Sequence, residues 1–207
     1  AGSAVLATSF FGSYGYNRSG SVILNGEELR IREPADAIRA GISYVTEDRK
    51  EKGLVLNMDI IKNATLASHF RIAPNGILNK LQEIIESREY TKKLQVKMSS
   101  LEQEARNLSG GNQQKVVLSK WLMTRPKVLL LDEPTRGIDV GAKFEIYNIM
   151  NQLVEEGVGI VMISSELPEI IGITDRIIVM HQGRLAGSQD WEQATQESIM
   201  HMATGGR

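Results

Sequence analysis

Two short runs carry the residue types that handle phosphate. The first is Leu108-Ser109-Gly110-Gly111-Asn112-Gln113-Gln114. Its glycines open a helical pattern in which Val117 and Trp121, and Leu118 and Leu122, recur at i,i+4. A helix start lacking Cβ atoms lets an anion reach free backbone N–H groups, and the positive end of the helix dipole favours it. Ser109 adds a hydroxyl donor. The second run is Val128-Leu129-Leu130-Leu131-Asp132-Glu133. An unbroken apolar run predicts a strand buried on both faces of a parallel sheet. Such strands present functional groups at their C-terminal ends. Asp132 and Glu133 put two adjacent carboxylates at that end, a residue type that can bind a cation or take a proton from water.

Taken singly, the first run is a turn and the second a strand leading into a solvated loop. In this order, separated by one helix, the pair resembles the signature and Walker B motifs of ABC-type ATPases. The resemblance extends over nearly the whole chain, from Gly2 to about Thr204. It is closest to the C-terminal nucleotide-binding half of tandem ATPases that power ribose- and galactose-type sugar import. It implies an α/β P-loop NTPase fold, an ABC-type nucleotide-binding domain over residues 1–207. A mostly parallel sheet would carry a helical subdomain at about 57–103, and the sheet would be N-terminally truncated.

The elements that must position these runs are legible in order. Val5 to Gly12 reads as a helix, and SGSVILNGEEL as a hairpin. Glu33 to Gly41 reads as a short helix, with Pro34 near its start and Gly41 at its C-cap. Ile42 to Val45 is a strand. Ile60 to Phe70 and Leu78 to Leu94 are helices, separated by Ala73-Pro74-Asn75-Gly76. Glu83, Glu86, Arg88, Glu89, Lys92 and Lys93 read as a solvated face, and His69 as a surface residue. Gly159 to Ile163 is another buried strand, and Gln182-Gly183 turns a hairpin.

The family's phosphate loop ends in Gly-Lys-Ser/Thr before its helix. On that resemblance Gly2 aligns with the glycine, Ser3 with the lysine and Ala4 with the Ser/Thr. The chain thus begins inside the loop, without the lysine or the Mg²⁺-holding hydroxyl. These residues are either a natural degenerate loop or partly a remnant of cloning. Glu47 occupies the place of the family's glutamine, which contacts Mg²⁺ and the attacking water. The surrounding EDRK…GL resembles the corresponding segment of the sugar-import ATPases. Ser165 replaces the histidine that contacts the γ-phosphate; it can hydrogen-bond a phosphate but carries no charge. Asp139 begins a helix running to about Glu155, and resembles the D-loop aspartate at a dimer interface.

The resemblance implies ATP and Mg²⁺ as cofactors. Asp132 and Glu47 would hold the metal, with Glu133 and Ser165 in catalytic roles. Gly2, Ser3, Ala4, Asp139 and the run Ser109, Gly110, Gly111, Asn112, Gln113 would contact nucleotide. The implied partners are a second nucleotide-binding domain in a head-to-tail dimer and membrane permease subunits, with a sugar-binding protein acting indirectly. The place is the cytoplasmic face of the membrane, held peripherally. Because the Walker side is altered and the signature intact, this half is expected to bind ATP weakly. It is expected to supply its signature to a partner's site. The alternatives are a regulatory or structural module, or an ABC ATPase acting on nucleic acid.

Composition bounds the rest. The 207 residues carry a net charge of −1, 42% hydrophobic residues and no cysteine. That balance is ordinary for a globular domain and leaves no electrostatic footprint for nucleic acid. No apolar stretch approaches the roughly 20 residues of a membrane helix, and no secretory leader is apparent. Work at a membrane is therefore expected through partners.

Overall fold

The computed structural model describes residues 2–15, 20–73 and 76–206. Ala1, Ser19, Pro74, Asn75 and Arg207, which fall within the expectations above, lie outside the described residues.

Strand β4 (Val128–Asp132) is the centre of the molecule. It pairs in parallel with β3 (Ile42–Val45) on one edge and with β5 (Gly159–Ile163) on the other. Its apolar run is needed on both faces. Leu129 and Leu131 point into a core with Val116, Val117 and Leu118 of α6 (Gly110–Leu122) and Ile146, Ile149 and Leu153 of α7 (Val140–Glu155). Leu130 points the opposite way, to Ala7 and Phe11 at α1 (Ser3–Phe10), Ala37 of α2 (Pro34–Ala40), and Ile42 and Tyr44. The strand period of two thus divides one sequence run between two helical layers. Each leucine buried there contributes about 1.5–3 kcal/mol.

Local chemistry sets the boundaries. Helix α2 starts on a capping box between Glu33 and Asp36 and stops at Gly41, which has φ 91°. The hairpin β1 (Val22–Leu24) and β2 (Glu27–Leu29) turns through Asn25 and Gly26, both at positive φ. Between β3 and α6 the chain is helical, with α3 (Ile60–Thr65), a 3₁₀ turn, α4 (His69–Ile72) and α5 (Lys80–Lys93). An antiparallel bridge between Asp59 and Glu104 closes the base of this segment. After β5 come α8 (Leu167–Ile173), the antiparallel pair β6 (Arg176–His181) and β7 (Arg184–Asp190), and α9 (Gln196–Ala203).

Two expectations need correction. Glu83 and Glu86 do not lie on a solvated face; both are buried. Arg71 forks onto Glu86, and Thr65 donates to Glu83 at 2.9 Å. Charge spacing cannot distinguish a face that meets water from one that meets an arginine of the preceding helix. Strand β5 is not fully buried either. It is hydrogen-bonded to β4 alone, and Val161 is 52% exposed. An apolar composition suits a covered strand, but here one edge has no neighbour among the described residues.

Candidate functional site

A cleft of about 470 Å³ lies where α1 faces the C-terminal ends of β3 and β4. Ala4, Thr8, Tyr44, Glu47, Lys52 and Asp132 contribute to its lining. Of the residues singled out from sequence, Ala4, Glu47 and Asp132 therefore meet in one place. Gly2 and Ser3 lie immediately before it. Gly2 has φ 118°, and a Cβ there would lie 3.0 Å from Cα of Gly183. Both the left-handed backbone and the close approach demand glycine.

Asp132 is buried, and its Oδ2 accepts a hydrogen bond from the Tyr44 hydroxyl at 2.7 Å. Burial, reinforced by the charge of Glu47, raises its pKa above the ordinary carboxylate value, while Tyr44 and Lys52 oppose that shift. A buried carboxylate with a hydroxyl as its close partner is suited to a cation. Mg²⁺ commonly takes one or two carboxylates and completes its shell with phosphate oxygens and waters. Asp132 and Glu47 fit that donor set, whereas Ala4 offers no side-chain oxygen. Glu47 currently pairs with Arg136 at 3.3 Å and Lys52 at 3.7 Å, both at the surface.

Glu133 and Ser165 do not line this cleft. They stand on neighbouring strand ends: the Glu133 N–H donates to the Ile163 carbonyl at 2.9 Å. Glu133 adopts φ 47°, a left-handed conformation that is strained for a side-chain-bearing residue. That turn redirects the chain at the end of β4, where β-geometry would continue the strand. Ser165 is exposed.

The neighbour of Ser165 is held by a carboxylate that sequence reasoning missed. Glu169 is buried and accepts hydrogen bonds from Tyr147 (2.6 Å), Ser164 (2.7 Å), Lys143 (3.3 Å) and Thr135. Burial alone would raise its pKa, but these four donors pull it below the ordinary value. Tyr147 is pushed up to about 12, by burial and by this carboxylate. One side chain thereby ties the end of β4, the flank of α7 and the loop after β5. No motif spacing announces it; only the fold brings its donors together.

The second phosphate-type element lies at the start of α6. Ser109 is the exposed N-cap residue, and its Oγ accepts a hydrogen bond from Asn112 Nδ2 at 2.8 Å. Asn112 in turn accepts from the Lys97 N–H at 2.7 Å. The amide occupies a lone pair of Oγ and leaves the hydroxyl proton free to donate outward. Gln113 is turned inward, buried, and donates to the Ala105 carbonyl at 3.2 Å. The glycines have intramolecular reasons too. A Cβ on Gly111 would sit 2.5 Å from Cβ of Ala142, and one on Gly110 would sit 2.8 Å from Nη2 of Arg49. Asp139 caps α7, its Oδ1 accepting from the Ala142 N–H at 2.9 Å. The start of α6 and Asp139 are thus linked through Ala142, which packs on Gly111 and donates its N–H to Asp139.

Comparison with solved structures defines the class first. A structure described as MJ1267, an ATP-binding cassette of an ABC transporter, superposes with a TM-score of 0.80, covering 97% of this chain and 82% of that one at 21% identity. The structure of cbiO1 from Clostridium perfringens gives a TM-score of 0.74 at 20% identity, covering 97% of this chain and 78% of that one. The fold is therefore that of an ABC ATPase domain within the P-loop NTPases. A family model described as ABC transporter matches residues 1–136, and the chain belongs to that family.

The curated relatives are sugar-import ATP-binding proteins. Xylose import ATP-binding protein XylG of Geobacillus kaustophilus (strain HTA426) is 53% identical over 206 residues, spanning 100% of this chain and 41% of that protein. Ribose import ATP-binding protein RbsA of Lactococcus lactis subsp. cremoris (strain SK11) is 52% identical over 190 residues, spanning 92% of this chain and 39% of that protein. L-arabinose transport ATP-binding protein AraG of Geobacillus stearothermophilus is 52% identical over 205 residues, spanning 99% of this chain and 40% of that protein. The chain thus spans about two fifths of the length of the curated relatives it matches.

Proposed function

We propose that this chain is an ATP-binding, ATP-hydrolysing component of a monosaccharide importer, and that it is the half that supplies its signature to a partner's nucleotide. The observation that carries the second part is the contrast between its two faces. At the start of α1, Ser3 offers a neutral hydroxyl in place of a cation, and Ala4 offers no side-chain oxygen for Mg²⁺. At the start of α6, Ser109 is exposed, oriented by Asn112, and free to donate. Triphosphate charge left without the lysine binds weakly. ATP with Mg²⁺ would sit at the Asp132–Glu47 cleft; Glu133 and Ser165, on the neighbouring strand ends and outside its lining, would have to approach it to act in catalysis. Weak ATPase activity follows for the chain alone.

The partners follow from chemistry at two surfaces. Val140 and Phe144 lie one turn apart on α7 beside Asp139, and both are exposed; they suit a second nucleotide-binding domain in head-to-tail arrangement. Residues 57–103 form the helical subdomain of this proposal. Phe70, Ile77, Leu78, Leu81 and Ile85 expose apolar side chains there, which suits docking on a permease at the cytoplasmic face of the membrane. A sugar-binding protein would act through that permease. Among the described residues no helix is long and apolar enough to cross a membrane.

The test is binding of a fluorescent ATP analogue with Mg²⁺, by the chain alone and mixed with a domain carrying an intact phosphate loop. Weak binding alone that tightens on mixing, with hydrolysis appearing, supports the proposal. Tight binding and turnover by the chain alone would overturn the donor role. Within the mixture, Ser109→Ala should lower turnover more than Glu133→Gln, and the reverse order counts against it.

A further inference from the structure

Arg49 occupies a position that none of the assignments above uses. It opens a five-residue π-helical turn, Arg49–Gly53, capped by the Asp48 carboxylate, which accepts from the Lys50 and Glu51 N–H groups. Its guanidinium leaves that turn and reaches the loop that follows β4. Nη1 donates to the Arg136 carbonyl at 2.7 Å and Nη2 to the Gly137 carbonyl at 3.0 Å. The Nε is buried without a hydrogen-bond partner. The same guanidinium lies against Gly110: a Cβ there would meet Nη2 at 2.8 Å, the Gly137 carbonyl oxygen at 3.4 Å and Cζ at 3.5 Å. The far end of the turn is fixed as well, because the Gly53 carbonyl accepts from the buried Lys120 of α6 at 2.5 Å.

Three segments therefore converge on one planar group: the turn after β3, the loop before Asp139, and the first residue of α6. A guanidinium has a rigid fork matched to two acceptors, and an ammonium does not. We propose that Arg49 is the positioning residue that holds the 136–137 backbone against Gly110, so that Ser109 and Asp139 keep one fixed spacing toward a partner's nucleotide. This rests on the signature-donor reading. It adds that the two groups offered to the partner are set as a unit, and that the turn carrying Glu47 on its approach sets them. A side chain at Gly110 would have to displace the guanidinium from its two carbonyl acceptors.

Two measurements test it. The first is segment-resolved amide hydrogen exchange on the chain alone, independent of any partner. Arg49→Ala should speed exchange in both 109–112 and 136–139. Gly110→Ala, which displaces the guanidinium from the opposite side, should do the same at 136–139. Unchanged exchange at 136–139 in both variants overturns the proposal, and a folded Gly110→Ala protein keeps the test decisive if Arg49→Ala unfolds. The second is ATP turnover by the mixture with a partner domain. Arg49→Ala should lower kcat about tenfold or more, the scale of a small misplacement near reacting atoms. KM should stay within about twofold, as expected when ground-state binding is untouched. Arg49→Lys should retain most of the loss; full recovery by lysine would mean that charge alone suffices, and overturns the positioning role. Ser109→Ala separates the two claims. Loss in Ser109→Ala with none in Arg49→Ala overturns this inference and spares the donor reading. No loss in either overturns the donor reading, and this one with it.

Discussion

The Tyr44 hydroxyl donates to Oδ2 of Asp132 at 2.7 Å across the paired strands β3 and β4. The acceptor is a carboxylate whose pKa is raised by burial and by the nearby charge of Glu47. Protonation therefore favours the folded state more than the unfolded one. The resulting penalty is absent below the unfolded pKa of about 3.9 and grows as pH rises through the raised folded value. Asp132→Asn, which keeps an acceptor for Tyr44, should raise the thermal midpoint of the nucleotide-free chain at pH 7. A gain of ~1 kcal/mol would appear as about 2–4 °C. The same variant should lose Mg²⁺-dependent nucleotide binding. Calorimetry that shows a lower midpoint at pH 7 would refute this account of Asp132.

Glu169 works in the opposite sense. Its pKa is lowered in the folded protein despite burial, through donors Thr135, Tyr147, Ser164 and Lys143. Its stabilisation is full above the unfolded value of about 4.3 and fades as pH falls through the depressed folded value. Glu169→Gln leaves Lys143 with Glu166 alone and breaks a buried charged cluster, which costs about 3 kcal/mol. Denaturant titrations should show that deficit at pH 7 and convergence with the unsubstituted chain in acid. An equal deficit at both pH values would mean that shape, not charge, matters there.

Lys120 is a buried amine whose pKa falls from 10.5 to about 8 through burial. A depressed lysine opposes folding while it is charged. Stability should therefore rise as pH climbs from about 8 toward 10.5, and lie flat below. The gain across that window is on the order of 3 kcal/mol. In Lys120→Met the slope from this site disappears, while the Gly53 carbonyl loses its donor. Stability measured at several alkaline pH values, compared between the two proteins, isolates the term. Parallel curves would show that the amine is not the source.

Gly111 tests the packing of α6 on α7. Alanine there improves helix propensity by about 0.5–1 kcal/mol. Its Cβ, however, would lie 2.5 Å from that of Ala142, with both residues in helix. Overpacking at about 1–3 kcal/mol outweighs the propensity gain. Gly111→Ala should therefore be destabilising by urea titration, and Gly111→Ala with Ala142→Gly should recover most of the loss. Failure of the pair to recover would place the strain elsewhere.

Much of the architecture was legible where local rules and tertiary demands agree. The run 128–131 needs apolar residues on both faces and has them. Gly41 and Asn25-Gly26 mark ends that their backbone angles require. Asp139 reads as a helix start because its carboxylate caps one. Ala4, Glu47 and Asp132, singled out from sequence, line one cleft because the start of α1 faces the ends of β3 and β4. What stayed hidden depends on distant partners. Glu169 gathers donors from three elements, and Glu86 meets Arg71 from an earlier helix. Gln113 turned inward because α6 puts that position on its buried side, which the motif's spacing does not reveal. Strand β5 looked covered because apolar content reports the environment a strand suits, not the neighbours it has.

The one-sided pairing of β5 has a consequence for handling the molecule. Among the described residues its second edge is unpaired, a row of backbone donors and acceptors flanked by apolar side chains, with Val161 half exposed. Such a rim is a template for any extended polypeptide, including a second copy. Preparations of this chain alone should accumulate sheet-linked assemblies as concentration rises, and a charged substitution at Val161 should suppress them without touching the Asp132–Glu47 cleft or the start of α6.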